Sequence, residues 1–110
     1  CVFADPGHLS LCGEPIAMAL DIVREYLCVL AFKDLIRQRP LGGTQQGAPS
    51  GGVMRLGQGF VDWPAVAATL ERIDFKGPVS FHSEYSGEPV PTVIDLARID
   101  VRFFNALREA

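Results

Sequence analysis

Three short apolar runs, Val2–Asp5, Leu27–Lys33 and Val79–Glu84, alternate with three stretches whose apolar residues recur at helical spacing. Few folds accept that order. The succession β-α-β-α-β-α implies parallel strands joined by right-handed helical crossovers. The middle run is nearly all apolar, as suits a parallel strand covered on both faces. Three strands cannot close a cylinder, and covering only one face would leave apolar surface in water. The pattern therefore reads as an α/β fold, and as a fragment of a larger barrel rather than a complete open sandwich.

The intervening segments carry their own punctuation. Pro6-Gly7 breaks the first strand and opens a loop through Gly13-Glu14. Pro15 suits the first turn of a helix, and Ile16, Ala19, Leu20 and Val23 continue it to about Glu25. Leu35–Arg39 is long enough for one helical turn. Pro40–Gly59 reads as loop and holds seven of the eleven glycines. Within it, Thr44–Gly52 is either a functional loop or a tolerated surface insertion. Asp62 is placed to cap a helix with Pro64 in its first turn, and Val66, Leu70 and Ile73 form its stripe. The last helix, about Thr92–Arg108, is apolar around much of its circumference, which predicts heavy burial.

A chain of 110 residues with a 48% hydrophobic content and 21% charge supports one packed domain rather than disorder. It opens on Cys1 inside an apolar run, which reads as a start within a fold. The net charge is −3 and no Lys/Arg stripe is present, which argues against nucleic acid as a partner. No apolar run approaches the ~18 residues that a membrane span needs. Cys1, Cys12 and Cys28 are odd in number and lack a C-x-x-C. Cys1 and Cys28 lie in apolar runs, where a reduced thiol acts as a small hydrophobe. That usage suggests a reducing compartment, the cytoplasm.

Chemistry in parallel α/β folds collects at the carboxyl ends of the strands. The first strand ends in Asp5-Pro-Gly-His8, and the third in Phe81-His-Ser-Glu-Tyr85. Asp5 and His8 make half of a metal or sugar site, or an ordinary turn. Alternation puts Ser80, His82 and Glu84 on one face of the third strand. A polar face of that kind suits the open mouth of a barrel, where water or a ligand satisfies it. Glu84 could bind a cation and move protons, with a structural salt bridge as the plain alternative. His82 could do no more than hydrogen-bond a neighbour. Lys33 shares a face with Val29 and Ala31. It could hold a substrate hydroxyl or phosphate, or pair with Asp34 or Asp5. Gly57-Gln-Gly59 is too short for a phosphate-binding fingerprint.

Four segments in order, Asp5-Pro-Gly-His8, Leu30-Ala-Phe-Lys-Asp34, Leu56-Gly-Gln-Gly-Phe-Val-Asp-Trp63 and Gly77-Pro-Val-Ser-Phe-His-Ser-Glu-Tyr85, resemble the C-terminal part of xylose isomerase-like TIM barrels, the sugar phosphate isomerase/epimerase proteins. The resemblance implies a partial (β/α)8 barrel made of the last three βα units, with 1–110 as the C-terminal fragment of one domain. It implies a divalent metal, Mn or Mg ahead of Zn, with Asp5 and Glu84 among its ligands. It also implies Glu84 as acid/base, His8 beside the metal on the substrate, and Lys33 and His82 near the sugar. The implied activity is isomerisation or epimerisation of a sugar or sugar phosphate through an enediolate, with homo-oligomer formation open. Two departures stand out. The family's strand-seven pattern His-Leu-Lys-Asp is Ala31-Phe-Lys-Asp34 here, so the ligand histidine is an alanine, for which His82 or water could substitute. No strand-five Glu is present. Little catalysis is expected of the 110 residues alone.

Three other readings share the barrel. An inosose dehydratase-like lyase would act on a cyclic polyol. A DNA-repair endonuclease would want several zinc ions, more histidines and a basic groove. A non-catalytic sugar-binding barrel fits the loss of the histidine at Ala31.

Overall fold

A computed structural model of the chain describes residues 1–38 and 50–110. The order is β1 Val2–Ala4, α1 Pro6–Leu11, α2 Ile16–Val23, β2 Leu27–Phe32, β3 Asp34–Gln38, β4 Ser50–Met54, α3 Trp63–Arg72, β5 Val79–Phe81 and α4 Val90–Glu109. Strands β1, β2 and β5 lie side by side in that order, all parallel. Sequential neighbours in one direction are what a barrel wall requires, and a doubly wound sheet would reverse its order partway.

The sheet's two faces are sorted by alternation. Ala4 from β1 and Leu30 and Phe32 from β2 enter the core. There they join Ile16 and Leu20 of α2, Trp63, Val66 and Leu70 of α3, and Phe104 of α4. Phe32 is the centre of this core. Its ring lies 5.0 Å from that of Trp63, 5.6 Å from Phe81 and 4.6 Å from Phe104, each edge to face. The alternate residues Phe3, Asp5, Val29, Ala31 and Lys33 belong to the other face. Outside the core, Arg72 grips Asp21 with two 2.9 Å hydrogen bonds and ties α3 to α2.

Local caps explain the helix starts. Asp62 accepts from the Ala65 amide at 3.0 Å, with proline in the first turn of α3, as the spacing predicts. Asp5 does the same for α1, accepting from the His8 amide at 3.1 Å. The segment after Pro6 is therefore a short helix, not the loop expected. An aspartate cap followed by proline is a helix start as well as a turn, and Leu9 packing on the core decides between them.

Four further expectations are corrected. In the Leu35–Arg39 segment, residues 35–38 are strand rather than a helical turn, with position 39 outside the described residues, and Pro40–Gly59 is not all loop. Asp34–Gln38 and Ser50–Met54 pair as an antiparallel ladder, with Leu35 opposite Val53 and Ile36 opposite Gly52. That pairing partner is distant in sequence, so local periodicity does not reveal it. Positions 44–49 of the Thr44–Gly52 segment lie outside the described residues. Helix α4 is not heavily buried: Asp100 and Phe104 are its buried residues, while Val90 is 71% exposed and Ile94 46%. One stripe of the helix meets β5 and α3, and among the described residues nothing covers the exposed apolar side chains Val90 and Ile94. Finally, Cys1 and Cys28 are not separate reduced thiols but a disulfide between the neighbouring strands β1 and β2, Cα to Cα 5.5 Å. Both are exposed, and their place in apolar runs no longer argues for a reducing compartment. Among the described residues no helix is long and apolar enough to cross a membrane.

Candidate functional site

Asp5 leaves the carboxyl end of β1 on the face opposite the helices. One oxygen, Oδ1, caps α1 through the His8 amide. The other, Oδ2, lies 3.2 Å from His8 Nδ1 and 3.5 Å from Lys33 Nζ. The first turn of α1 thus folds His8 back beside Asp5, with its imidazole largely exposed.

Lys33 follows the last residue of β2 and is buried, at 7% exposure. Its ammonium bridges to the third strand, 3.2 Å from Glu84 Oε1 and 3.4 Å from Oε2. It therefore pairs with Asp5 and Glu84, while Asp34 turns the other way. The two carboxylates from the outer strands converge on one nitrogen supplied by the middle strand.

Glu84 arrives by way of a tight turn. β5 ends at Phe81, the His82 amide donates to the Phe32 carbonyl at 2.9 Å, and the Glu84 amide donates to the His82 carbonyl. His82 Nδ1 lies 3.4 Å from Glu84 Oε1, and its ring faces that of Phe3 at 6.1 Å between centroids. The Glu84 side chain remains 54% exposed, so a ligand can reach it. These residues border a cleft of about 680 Å³ whose lining includes Phe3, Asp5, His8, Lys33, His82 and Glu84.

Burial pushes the Glu84 carboxyl up, but the hydrogen bond and charge of Lys33, with help from His82, outweigh it and hold the group below its ordinary value. A carboxyl depressed in the folded chain stabilises the fold above its unfolded value. That contribution is lost as falling pH titrates it through the lower folded value. Carbon-detected NMR titration of the intact protein is expected to place the Glu84 midpoint below that of an unstructured glutamate. Lys33→Met should raise it.

Two aspartates that the sequence did not single out as site residues hold this mouth in shape. Asp34 is fully buried and accepts five N–H groups. Oδ1 takes the amides of Leu35 at 2.9 Å and Val61 at 3.1 Å. Oδ2 takes those of Gly57 at 2.9 Å and Gly59 at 3.0 Å, and Trp63 Nε1 at 2.8 Å. The Gly57-Gln-Gly59 segment is therefore a cradle around a carboxylate. A Cβ on Gly59 would run into that carboxylate and the Leu35 carbonyl, and Gly57 adopts a φ of +87°. Asp100, on α4, accepts from the Leu56 amide at 2.9 Å and from the Tyr85 hydroxyl. Burial, then the Asp100 carboxylate, pushes the Tyr85 hydroxyl well above its ordinary value. The turn that delivers Glu84 is thus tied to the last helix. The signal for Asp34 lay in its place at the end of an apolar strand, ahead of a glycine-rich segment. Asp100 had none beyond being an acid on an apolar helix.

A crystal structure of a xylose isomerase domain protein from Planctomyces limnophilus superposes on this chain with a TM-score of 0.70 at 29% sequence identity. The chain is similar in fold to that xylose isomerase domain protein. The match covers 96% of this chain and 36% of that one, a TIM-barrel protein, so the parallel sheet and its helices form a partial barrel. No family model matches the chain, and no curated protein does.

Xylose isomerase-like resemblance implied a divalent cation on Asp5 and Glu84. The described residues do not fit one. The Lys33 ammonium stands on the oxygens that a cation would need, and both oxygens of Asp5 are occupied by donors of the chain itself. Ala31, with no exposed surface, offers no ligand from β2, and His82 is turned to Glu84 rather than to Asp5. Among the described residues, no three of His, Cys, Asp and Glu are grouped so that they could hold a metal ion.

Proposed function

We propose that this chain is the C-terminal part of a sugar or sugar-phosphate isomerase or epimerase, with Glu84 as the group that moves the proton. The observation that carries the reading is the meeting of Asp5, Lys33 and Glu84 at the carboxyl ends of three parallel strands, beside a cleft of about 680 Å³. The xylose isomerase-like fold supports an isomerase or epimerase type. The depressed carboxyl of Glu84 is ionised at neutral pH and exposed enough to meet a substrate C–H. It would take the proton from the carbon next to a carbonyl, the C–H pair would form the carbon–carbon double bond of an enediolate while the carbonyl π pair moves to oxygen, and the proton would return to the neighbouring carbon as the hydroxyl proton passes between the two oxygens. His8 and His82, at the rim of the cleft, are placed to hydrogen-bond sugar hydroxyls. Epimerisation needs a second acid/base on the opposite face of the sugar, and the isolated 110 residues are expected to show little turnover.

The test is solvent-deuterium incorporation into a panel of aldoses, ketoses and their phosphates by the intact protein. Glu84→Gln is expected to lower exchange at least ~100-fold, the lower bound for general acid–base catalysis. Loss of water from a cyclic polyol in the same panel would replace this reading with a dehydratase. Sugar binding without exchange would replace it with a non-catalytic barrel, which the alanine at position 31 favours.

A further inference from the structure

We propose that Lys33 is the resident cation of this site, a fixed ammonium standing where the family resemblance implied a divalent metal, so that sugar chemistry at Asp5 and Glu84 proceeds with no metal bound to them. The inference rests on the isomerase or epimerase reading for its substrate, and on the geometry alone for the cation.

Four observations carry it. First, Nζ lies 3.5 Å from Asp5 Oδ2 and 3.2 Å from Glu84 Oε1, so one positive charge already bridges the two carboxylates. Second, the bridge is built in. The Lys33 side chain is 8% exposed, and α1 lies hard against it at Gly7, where a Cβ would come 2.7 Å from the Lys33 carbonyl oxygen and 3.2 Å from its Cγ. A buried ammonium persists only with its partners in place. Third, Asp5 is used up by its own chain: Oδ1 caps α1, and Oδ2 is shared between His8 and Lys33. Fourth, Ala31 precedes Lys33 by two residues on the same face of β2 and is fully buried, so that face presents one functional group, the ammonium, rather than a ligand. A dication bound to the same oxygens would sit a few ångströms from the ammonium, and like charges at that range repel strongly inside a protein. A lysine at this position accompanies the ligand histidine in the family's pattern, so it is the loss of that histidine at Ala31 that leaves the ammonium as the cation held between the two carboxylates.

An ammonium has three donors. Two carboxylates leave one to aim at a ligand oxygen in the cleft. As Glu84 accepts the substrate proton, the C–H electron pair becomes part of the carbon–carbon double bond. The carbonyl π pair moves to oxygen, and the Lys33 N–H stabilises the charge that develops there. The proton of the neighbouring hydroxyl passes to that oxygen, Glu84 returns its proton to the adjacent carbon, and the carbonyl re-forms on the second oxygen. Lys33 keeps its own protons throughout, and nothing is oxidised or reduced.

The experiment combines Mn2+ titration followed by electron paramagnetic resonance with deuterium exchange before and after EDTA treatment. It uses the intact wild-type protein, Asp5→Asn, Lys33→Met and the double variant. Wild type and Asp5→Asn are expected to take up Mn2+ identically. Lys33→Met, which keeps the stem and removes the charge, is expected to gain one Mn2+ per chain that the double variant loses. Wild-type exchange should survive EDTA, and Lys33→Met should lower it at least ~100-fold, as removal of one oxyanion donor does. Mn2+ bound by wild type and lost in Asp5→Asn would overturn the proposal. Exchange abolished by EDTA and restored by Mn2+ would overturn it too, and that arm needs no variant to fold. Absence of exchange in every protein would remove the isomerase reading, while the Mn2+ titrations still decide the role of Lys33.

Discussion

Asp34→Ala is expected to remove roughly 5 kcal/mol of folding stability, because each buried donor left without an acceptor costs about 1–3 kcal/mol. Five donors depend on this carboxylate, four of them backbone amides and one the Trp63 indole. Relaxation and water entry recover part of the loss, which keeps the total below a simple sum. Asp34→Asn is no rescue. Its NH2 group would face N–H groups that need an acceptor, so it too should be severely destabilised. Urea unfolding of the intact protein, followed by tryptophan fluorescence, reads the change at Trp63 itself. A loss under ~1 kcal/mol, the worth of an ordinary hydrogen bond, would show that the cradle does not depend on Asp34.

Phe32→Ala is expected to cost ~4 kcal/mol, in the range for deleting a buried aromatic ring. Phe32 is 1% exposed, and its ring touches three others at once. Those partners come from α3, β5 and α4, so the cavity would open where three elements meet and could not be closed by moving one of them. Phe32→Leu keeps most of the apolar area and should cost about half as much. The same unfolding assay checks both. Equal losses for Ala and Leu would mean that edge-to-face geometry, not volume, is what the site requires. The two predictions also separate in function. Phe32 lies next to Lys33 in sequence but on the opposite face, so Phe32→Leu should leave the Lys33–Glu84 pair intact, as read by the Glu84 titration midpoint.

Much of the architecture was legible before the structure. The three parallel strands and the helices that follow them come from hydrophobic periodicity, which is local. The Asp62 cap and Pro64 could be read in the same way. Asp5, Lys33 and Glu84 could be picked out because chemistry in such folds gathers at one end of the strands, and strand alternation says which residues share a face. The resemblance to xylose isomerase-like barrels added the barrel itself. What went unread shares a physical cause. The β3–β4 ladder, the Cys1–Cys28 bridge, the cradle around Asp34 and the hold of Asp100 on Tyr85 all join residues distant in sequence. No short window of sequence contains both partners.

Lys33 and Asp34 show where the boundary falls. Their order along the chain determined that two adjacent charges would leave the end of a buried strand on opposite faces, because successive side chains alternate. Which of them faces the cleft and which holds the frame was decided only by packing. The outer strands bring Asp5 and Glu84 to one face, while the amides of 57, 59 and 61 close around the other. A buried charge takes whatever compensating partners the fold delivers to its side, and that delivery is a property of three dimensions.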